Sequence, residues 1–212
     1  MVSSGVIFWK DRVFTFSILP EPHTHQSTAA ERSEMLIETG YYVLAGIPLN
    51  INDLFAYNWY SRRRLLKSMA EIPWATVTES AGASFDSIRD IFVHSLQSEE
   101  SWIGRLGGKS TEGIYTTPFT KYADINSILE YADKVEDETN EYLERLTNQR
   151  LQSVFEYKGR DGNINRFETE DILMHVVEEE IHHRGEILCV YWQHDIPPPY
   201  ISYTAYKGQA SR

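Results

Sequence analysis

The chain has 212 residues, 42% of them hydrophobic, which is enough to close the core of one domain with appendages. Its 20 Lys and Arg against 31 Asp and Glu leave a net charge of −11, a balance that phosphate backbones repel. The one basic run, Arg62-Arg63-Arg64, fans out at about 100° per residue on a helix and forms no stripe, so nucleic acid is excluded as a partner. Cys189 is the single cysteine and permits no internal disulfide, and no apolar run approaches the ~18 residues that span a bilayer. Lys10, Asp11 and Arg12 interrupt the apolar patch Val6–Trp9 before a signal-peptide core forms. A soluble, cytoplasmic protein with no membrane partner is expected.

Residues 1–49 show no helical period: Pro20, Pro22, His23, His25 and a Ser/Thr/Glu-rich stretch surround Met35. They read as an irregular N-terminal extension, disordered or carrying a strand pair near Phe8–Phe16, with Met35 as an alternative start. The bundle region follows. A first helix is predicted from Asn52 to Ala70 behind an Asn cap, with Leu54, Phe55, Asn58, Trp59, Arg62, Leu65, Leu66 and Met69 at i, i+3, i+4 spacing, and Pro73 stops it. A second begins after Ser84, carries Phe85, Ile88, Ile91, Phe92, Leu96, Ile103 and Leu106 in phase, and ends at Gly107-Gly108. A third, between Asp124 and Thr147, has Ile125, Ile128, Leu129, Ala132, Val135, Tyr142, Leu143 and Leu146 on one face. Ser153–Tyr157 alternates, Asp161-Gly162 offers a tight turn and Asn163–Phe167 returns, which predicts a short hairpin. A fourth helix runs from Thr169 to His194, until Pro197-Pro198-Pro199 forbids continuation and leaves an aromatic tail over 197–212. The expected class is all-α: a four-helix bundle over 50–196 with a β-hairpin before its last helix.

The polar residues of the fourth helix fall into two sets on a helical wheel. Asp171, His175, Glu178, His182 and Glu186 share one side, as on a solvated face. Glu179 and His183, at i and i+4, lie instead in the apolar stripe of Ile172, Val176, Ile187 and Val190. A carboxylate and an imidazole buried side by side cost several kcal/mol unless paired, hydrogen-bonded or bound to a metal. An ion pair and a metal site both answer that cost. His94, the only histidine between residues 26 and 174, sits at the edge of the second helix's apolar stripe and is a candidate third ligand. Glu99, within that stripe, either orients a ligating imidazole or pairs with an arginine. His175 and His182 are alternative ligands that the wheel turns to solvent. Gly185, in a helix interior, marks a close helix approach or a tolerated defect.

These segments resemble the DinB/YfiT-like proteins. Leu54, Tyr57 and Leu65 on the first helix, Ser87-Ile88-Arg89-Asp90-Ile91-Phe92-Val93-His94 with Glu99 and Trp102 on the second, and His175-Val176-Val177 with His182-His183-Arg184-Gly185-Glu186 on the last carry the resemblance, which spans about residues 50 to 195. The resemblance implies a four-helix bundle, commonly dimeric, in which one histidine of the second helix and two at i, i+4 on the last hold a divalent metal. Those positions fall on His94, Glu179 and His183, so this chain has Glu179 where the family usually has histidine. Two histidines and a carboxylate remain a competent set for Zn, Ni, Fe or Mn. The implied activity is transfer of a low-molecular-weight thiol to an electrophile, with metal-assisted hydrolysis second and the small-molecule substrate unspecified. A non-catalytic bundle, in which the same residues form a structural or vestigial site, is the alternative.

Other motifs lead nowhere. Gly104–Ser110 falls one residue short of a phosphate loop, because Ile103 stands where the first glycine belongs, and it follows a helix. Glu179-x-x-His182 and Glu180-x-x-His183 have di-iron spacing, but the second helix offers Ile91 three before His94 in place of a glutamate. The back of the fourth helix is also apolar, through Leu173, Val177, Ile181, Leu188 and Trp192, which predicts cover by the N-terminal extension or by a second copy in a homodimer.

Overall fold

The computed structural model describes residues 3–9, 12–18, 50–159 and 162–210, and the chain divides into two compact units, 1–49 and 50–212. In the first unit, β1 (Ser3–Trp9) and β2 (Arg12–Ile18) pair antiparallel, with Trp9 opposite Arg12. This is the strand pair considered near Phe8–Phe16. The remainder of the extension, Met35 included, lies outside the described residues.

The second unit is built on four long helices: α1 (Ile51–Met69), α3 (Ile88–Leu106), α4 (Ile125–Glu144) and α6 (Thr169–Gln193). Short turns, α2 (Trp74–Val77) and α5 (Asn148–Leu151), follow the first and third of them. Each long helix begins where a side chain takes up free backbone N–H groups. Asn50 accepts from the Asp53 amide, Ser87 from the Asp90 amide, and Asp124 with Ser127 and Glu168 with Asp171 close reciprocal caps. The Ser87 cap starts α3 three residues later than its hydrophobic period suggests, so Phe85 belongs to the preceding loop. No helix among the described residues is long and apolar enough to cross a membrane.

Between α5 and α6, β3 (Val154–Lys158) and β4 (Ile164–Glu168) form the expected hairpin, with Phe155 opposite Phe167 and Tyr157 opposite Asn165. Gly162 takes φ +84° in its turn, a region that L side chains rarely adopt. The hairpin is tied to the bundle at its base, where the Thr169 amide donates to the Ser153 carbonyl at 3.0 Å. Phe155, half-buried, packs against the core.

The core consists of two apolar clusters. One gathers Leu65, Met69, Ile88, Phe92, Leu96, Ile128, Val135 and Ile187, and the other Phe55, Ile103, Leu143, Ile172, Leu173 and Val176. On every long helix the residues between these clusters are polar and buried: Asn58 and Arg62 on α1, Glu99 on α3, Thr139 on α4, and Glu180 and Arg184 on α6. Arg62 Nη2 donates to Glu99 and, at 2.9 Å, to Glu180. Glu99 also accepts from Thr139 Oγ1 at 2.7 Å and from Trp59 Nε1 at 3.3 Å. Arg184 Nη1 donates to Asn58, whose amide donates to the Val177 carbonyl at 3.2 Å. Burial disfavours the Arg62 charge, but Glu180 and Glu99 outweigh it, and the guanidinium is held protonated beyond its ordinary range. Of the two roles open to Glu99, the structure realises the pairing with an arginine.

The aromatic tail over 197–212 carries a helix: α7 (Tyr203–Ala210) lies on α1, with Tyr57 packed against Tyr203 and Tyr206 at ring separations of 5.2 and 5.8 Å and Lys207 Nζ 2.9 Å from Asp53. Eight residues are too few for a wheel to expose this face. Of the two readings of Gly185, the tolerated defect holds, because a Cβ built on it meets nothing within 4 Å.

Removing one partner from a buried ion network strands the others, so Arg62→Ala is expected to cost about 3–5 kcal/mol in urea unfolding. Arg63→Ala, which loses only exposed pairs to Asp133 and Glu136, is expected to cost no more than about 1 kcal/mol. In the same assay Gly185→Ala should stabilise by about 0.5–1 kcal/mol, since it relieves a helix-interior glycine with no steric conflict.

Candidate metal centre

The extensive packing of α3 against α6 sets the site. It places His94 of α3 opposite Glu179 and His183, which occupy adjacent turns of α6. One ligand-capable atom from each of these three residues lies within 4.8 Å of the other two. His183 is 6% exposed, and His94 and Glu179 are half-buried. The three residues singled out in the sequence therefore meet in space.

The His183 imidazole is held at both ends. Nδ1 is 2.7 Å from Glu186 Oε2, and Nε2 is 3.6 Å from Glu179 Oε2. Glu186 also accepts from Ser84 Oγ at 2.7 Å. Burial raises the Glu186 pKa, but the hydrogen bonds from Ser84 and His183 outweigh it and hold the carboxyl below its ordinary range. An ionised carboxylate accepts only, so His183 donates from Nδ1 to Glu186, which turns the Nε2 edge of the ring toward Glu179 and His94. This is how proteins commonly orient a ligating histidine, and the orienting carboxylate is Glu186 rather than Glu99. The His94 ring is fixed by stacking, 3.9 Å from Phe85, and meets the His183 ring edge to face at 4.9 Å.

Two more groups have ligand-capable atoms equally close, His182 with His183 and Glu186, and His175 with Glu178 and Glu179. The first would take from His183 the carboxylate that orients it. The second stands largely in solvent, with His175 and Glu178 side chains 43% and 64% exposed. Both also lie on α6 alone. His94, Glu179 and His183 come from two helices locked together by the core, so less ordering remains to be done when an ion binds. The donor set of two imidazoles and one carboxylate fits a divalent transition ion, and three ligands leave coordination positions open.

His94 and Glu179 line a cleft of about 620 Å³, and His183 stands beside them. His94, Ser98, Trp102 and Arg105 line it from α3, Tyr157 and Lys158 from β3, and His175 and Glu179 from α6. Trp102 meets the Tyr157 and His175 rings edge to face at 5.2 and 5.5 Å. A second recess of about 600 Å³ shares Trp102, Tyr157 and His175 and adds Phe167, Asp171 and Ile172.

Sequence reasoning missed two groups. Glu186 sits on the wheel's polar side, yet its i, i+3 spacing from His183 was the available signal. Glu180 is buried because α6 is covered by α1 as well as by α3, and the signal for it was Arg62, an arginine inside an apolar stripe.

The model of the DinB family matches residues 47–211. The uncharacterized protein YizA of Bacillus subtilis (strain 168) is 21% identical over 133 residues, 63% of this chain and 80% of YizA. The crystal structure of a DinB-like protein from Bacillus cereus ATCC 10987 has the same fold, with a TM-score of 0.57 over 72% of this chain and 95% of that one, at 17% identity. With a family match across the whole bundle and a shared fold, the chain belongs to the DinB family.

Proposed function

We propose that this chain is a metal-dependent enzyme that transfers a low-molecular-weight thiol to an electrophilic small molecule, with metal-assisted hydrolysis as the second reaction open to the same centre. The observation that carries the reading is the meeting of His94, Glu179 and His183 beside a cleft of substrate size. Glu179 replaces the family's usual histidine with a ligand that is anionic and still competent. A divalent ion, zinc, nickel, iron or manganese, supplies Lewis acidity there: it lowers the pKa of a thiol or water and polarises an electrophile.

The chain's own residues do the rest. His94 and His183 present imidazole nitrogens and Glu179 a carboxylate. Glu186, itself held by Ser84, accepts from His183 Nδ1. The Phe85 ring covers one face of His94. Trp102 and Tyr157 give a substrate an apolar wall that excludes water from one side of the cleft. A three-ligand set favours catalysis, whereas a fourth protein ligand closing the tetrahedron would favour a structural role.

Elemental mass spectrometry of untagged protein, dialysed without strong chelator, should find close to one divalent ion per chain. His183→Ala and Glu179→Ala should lose it, and Glu186→Gln should weaken affinity about 10- to 100-fold in a chelator competition. No metal in the wild type, even after reconstitution, would make a non-catalytic bundle the better account.

The reading includes a homodimer. Leu173 and Val177 of the second apolar face of α6 are buried within the chain, while Ile181 and Trp192 stay 46% and 63% exposed, as a second copy would require. Sedimentation velocity should give a dimer at micromolar concentration, and a monomer there removes this part of the proposal.

A further inference from the structure

We propose that the substrate of the cleft is an elongated molecule with an anionic end, and that Arg105 reads this end while the opposite end reacts beside His94, Glu179 and His183. The inference rests on the reading of those three residues as the reactive centre, and adds the shape and charge of what it takes.

The helix supplies the ruler. His94, Ser98, Trp102 and Arg105 stand at i, i+4, i+8 and i+11 on α3, one continuous stripe, and all four line the cleft. Eleven residues at 1.5 Å each separate the Cα atoms of His94 and Arg105 by about 16 Å along the axis. Helical side chains lean toward the N-terminus, so the long Arg105 side chain reaches back over Trp102 in the direction of His94. A ligand touching both ends therefore has roughly the length of a tripeptide, and a cleft of about 620 Å³ has room for it.

The charge of the cleft is opposite to that of the chain. Arg105, Lys109 and Lys158 line it from α3, the loop after α3 and β3, and Glu179 is the only carboxylate residue among the described lining. On a chain of net charge −11, this local excess of cations draws small anions toward the site. Lys109 is partly engaged by half-buried Glu138 at 3.5 Å. Arg105 has no carboxylate ion pair among the described residues and lies over two aromatic rings, its guanidinium carbon 4.8 Å from the Trp102 ring centroid and 5.8 Å from that of Tyr157. Position in the last turn of α3 accounts for a positive charge there, through the helix dipole. It does not account for the contact with Tyr157, which belongs to the hairpin. An arginine stacked on aromatic faces keeps its N–H fork available, and that fork matches a carboxylate or a phosphate in two parallel hydrogen bonds.

Isothermal titration of the full chain against two pairs of thiols tests this. N-Acetylglutathione is compared with its neutral dimethyl ester, and 4′-phosphopantetheine with neutral pantetheine. The anionic member of at least one pair should bind about 10-fold or more tightly than its neutral counterpart, and the pair that discriminates identifies carboxylate or phosphate as the group read. Arg105→Gln should abolish the preference while leaving metal content, measured by elemental mass spectrometry, at the wild-type level. Arg105→Lys, which keeps the charge but not the fork, should retain a smaller preference. Equal affinities within both pairs, a preference undiminished in Arg105→Gln, or no binding of any of the four at millimolar concentration would overturn the proposal. A preference that depends on Arg105 in a protein holding no metal supports the anion site and sinks the metal reading alone.

Discussion

One arginine joins all four long helices. Arg62 of α1 reaches Glu99 of α3 and Glu180 of α6, and Glu99 takes a further hydrogen bond from Thr139 of α4. The layer divides an otherwise apolar interior in two. A layer of leucines in its place would bury as much surface at similar or better stability, since desolvating two carboxylates and a guanidinium is costly. What the ionic layer adds is register. Apolar side chains tolerate a helix slipping by one turn, whereas a guanidinium that must meet two carboxylates tolerates no such shift. Glu99 and Glu180 together carry two negative charges and Arg62 with Arg184 two positive ones, so the layer is formally neutral.

That register decides where the candidate centre lies. His94 stands five residues before Glu99 on α3, and Glu179 immediately precedes Glu180 on α6. Successive residues of a helix point about 100° apart, so Glu180 turns into the ionic layer while Glu179 turns toward His94. His183 follows one turn later and is aimed by Glu186 and Ser84. The centre thus stands on two helices whose relative position the core has already set. Ser84, Phe85 and Tyr115 reach it from loops, and the first two sit just ahead of the capped start of α3.

The hairpin completes the surroundings. Its base is tied to the start of α6, and Tyr157 on its inner face closes against Trp102, so the bundle presents a walled cleft where bare helices would offer a shallow groove. The walls are chemically graded: imidazoles and a carboxylate at one end, aromatic rings in the middle, cations toward the end of α3. An acidic protein surface around such a cleft leaves the cations as the local attraction for a small anion.

Amphipathic period, with an Asn cap before the first helix, made most of the bundle legible in the sequence. Long helices bury one face, and Asn50, Ser87, Asp124 and Glu168 stand where side chains satisfy the first free N–H groups. The Glu179 and His183 anomaly was legible for the same reason, since a polar pair inside an apolar stripe demands an explanation. Arg62 and Glu99 also stood inside such stripes, but a wheel treats each helix alone and cannot say which buried charge faces which. α7 was beyond reach because eight residues carry too little period to show a face. The sequence by itself determined the four long helices, the hairpin before the last of them, their inward faces and three candidate ligands, because these follow from local periodicity and chemistry. Only the tertiary structure decided that Arg62 takes Glu99 and Glu180, that Glu186 orients His183, and that the hairpin walls the cleft, because each of these is a contact between elements that only their packing brings together.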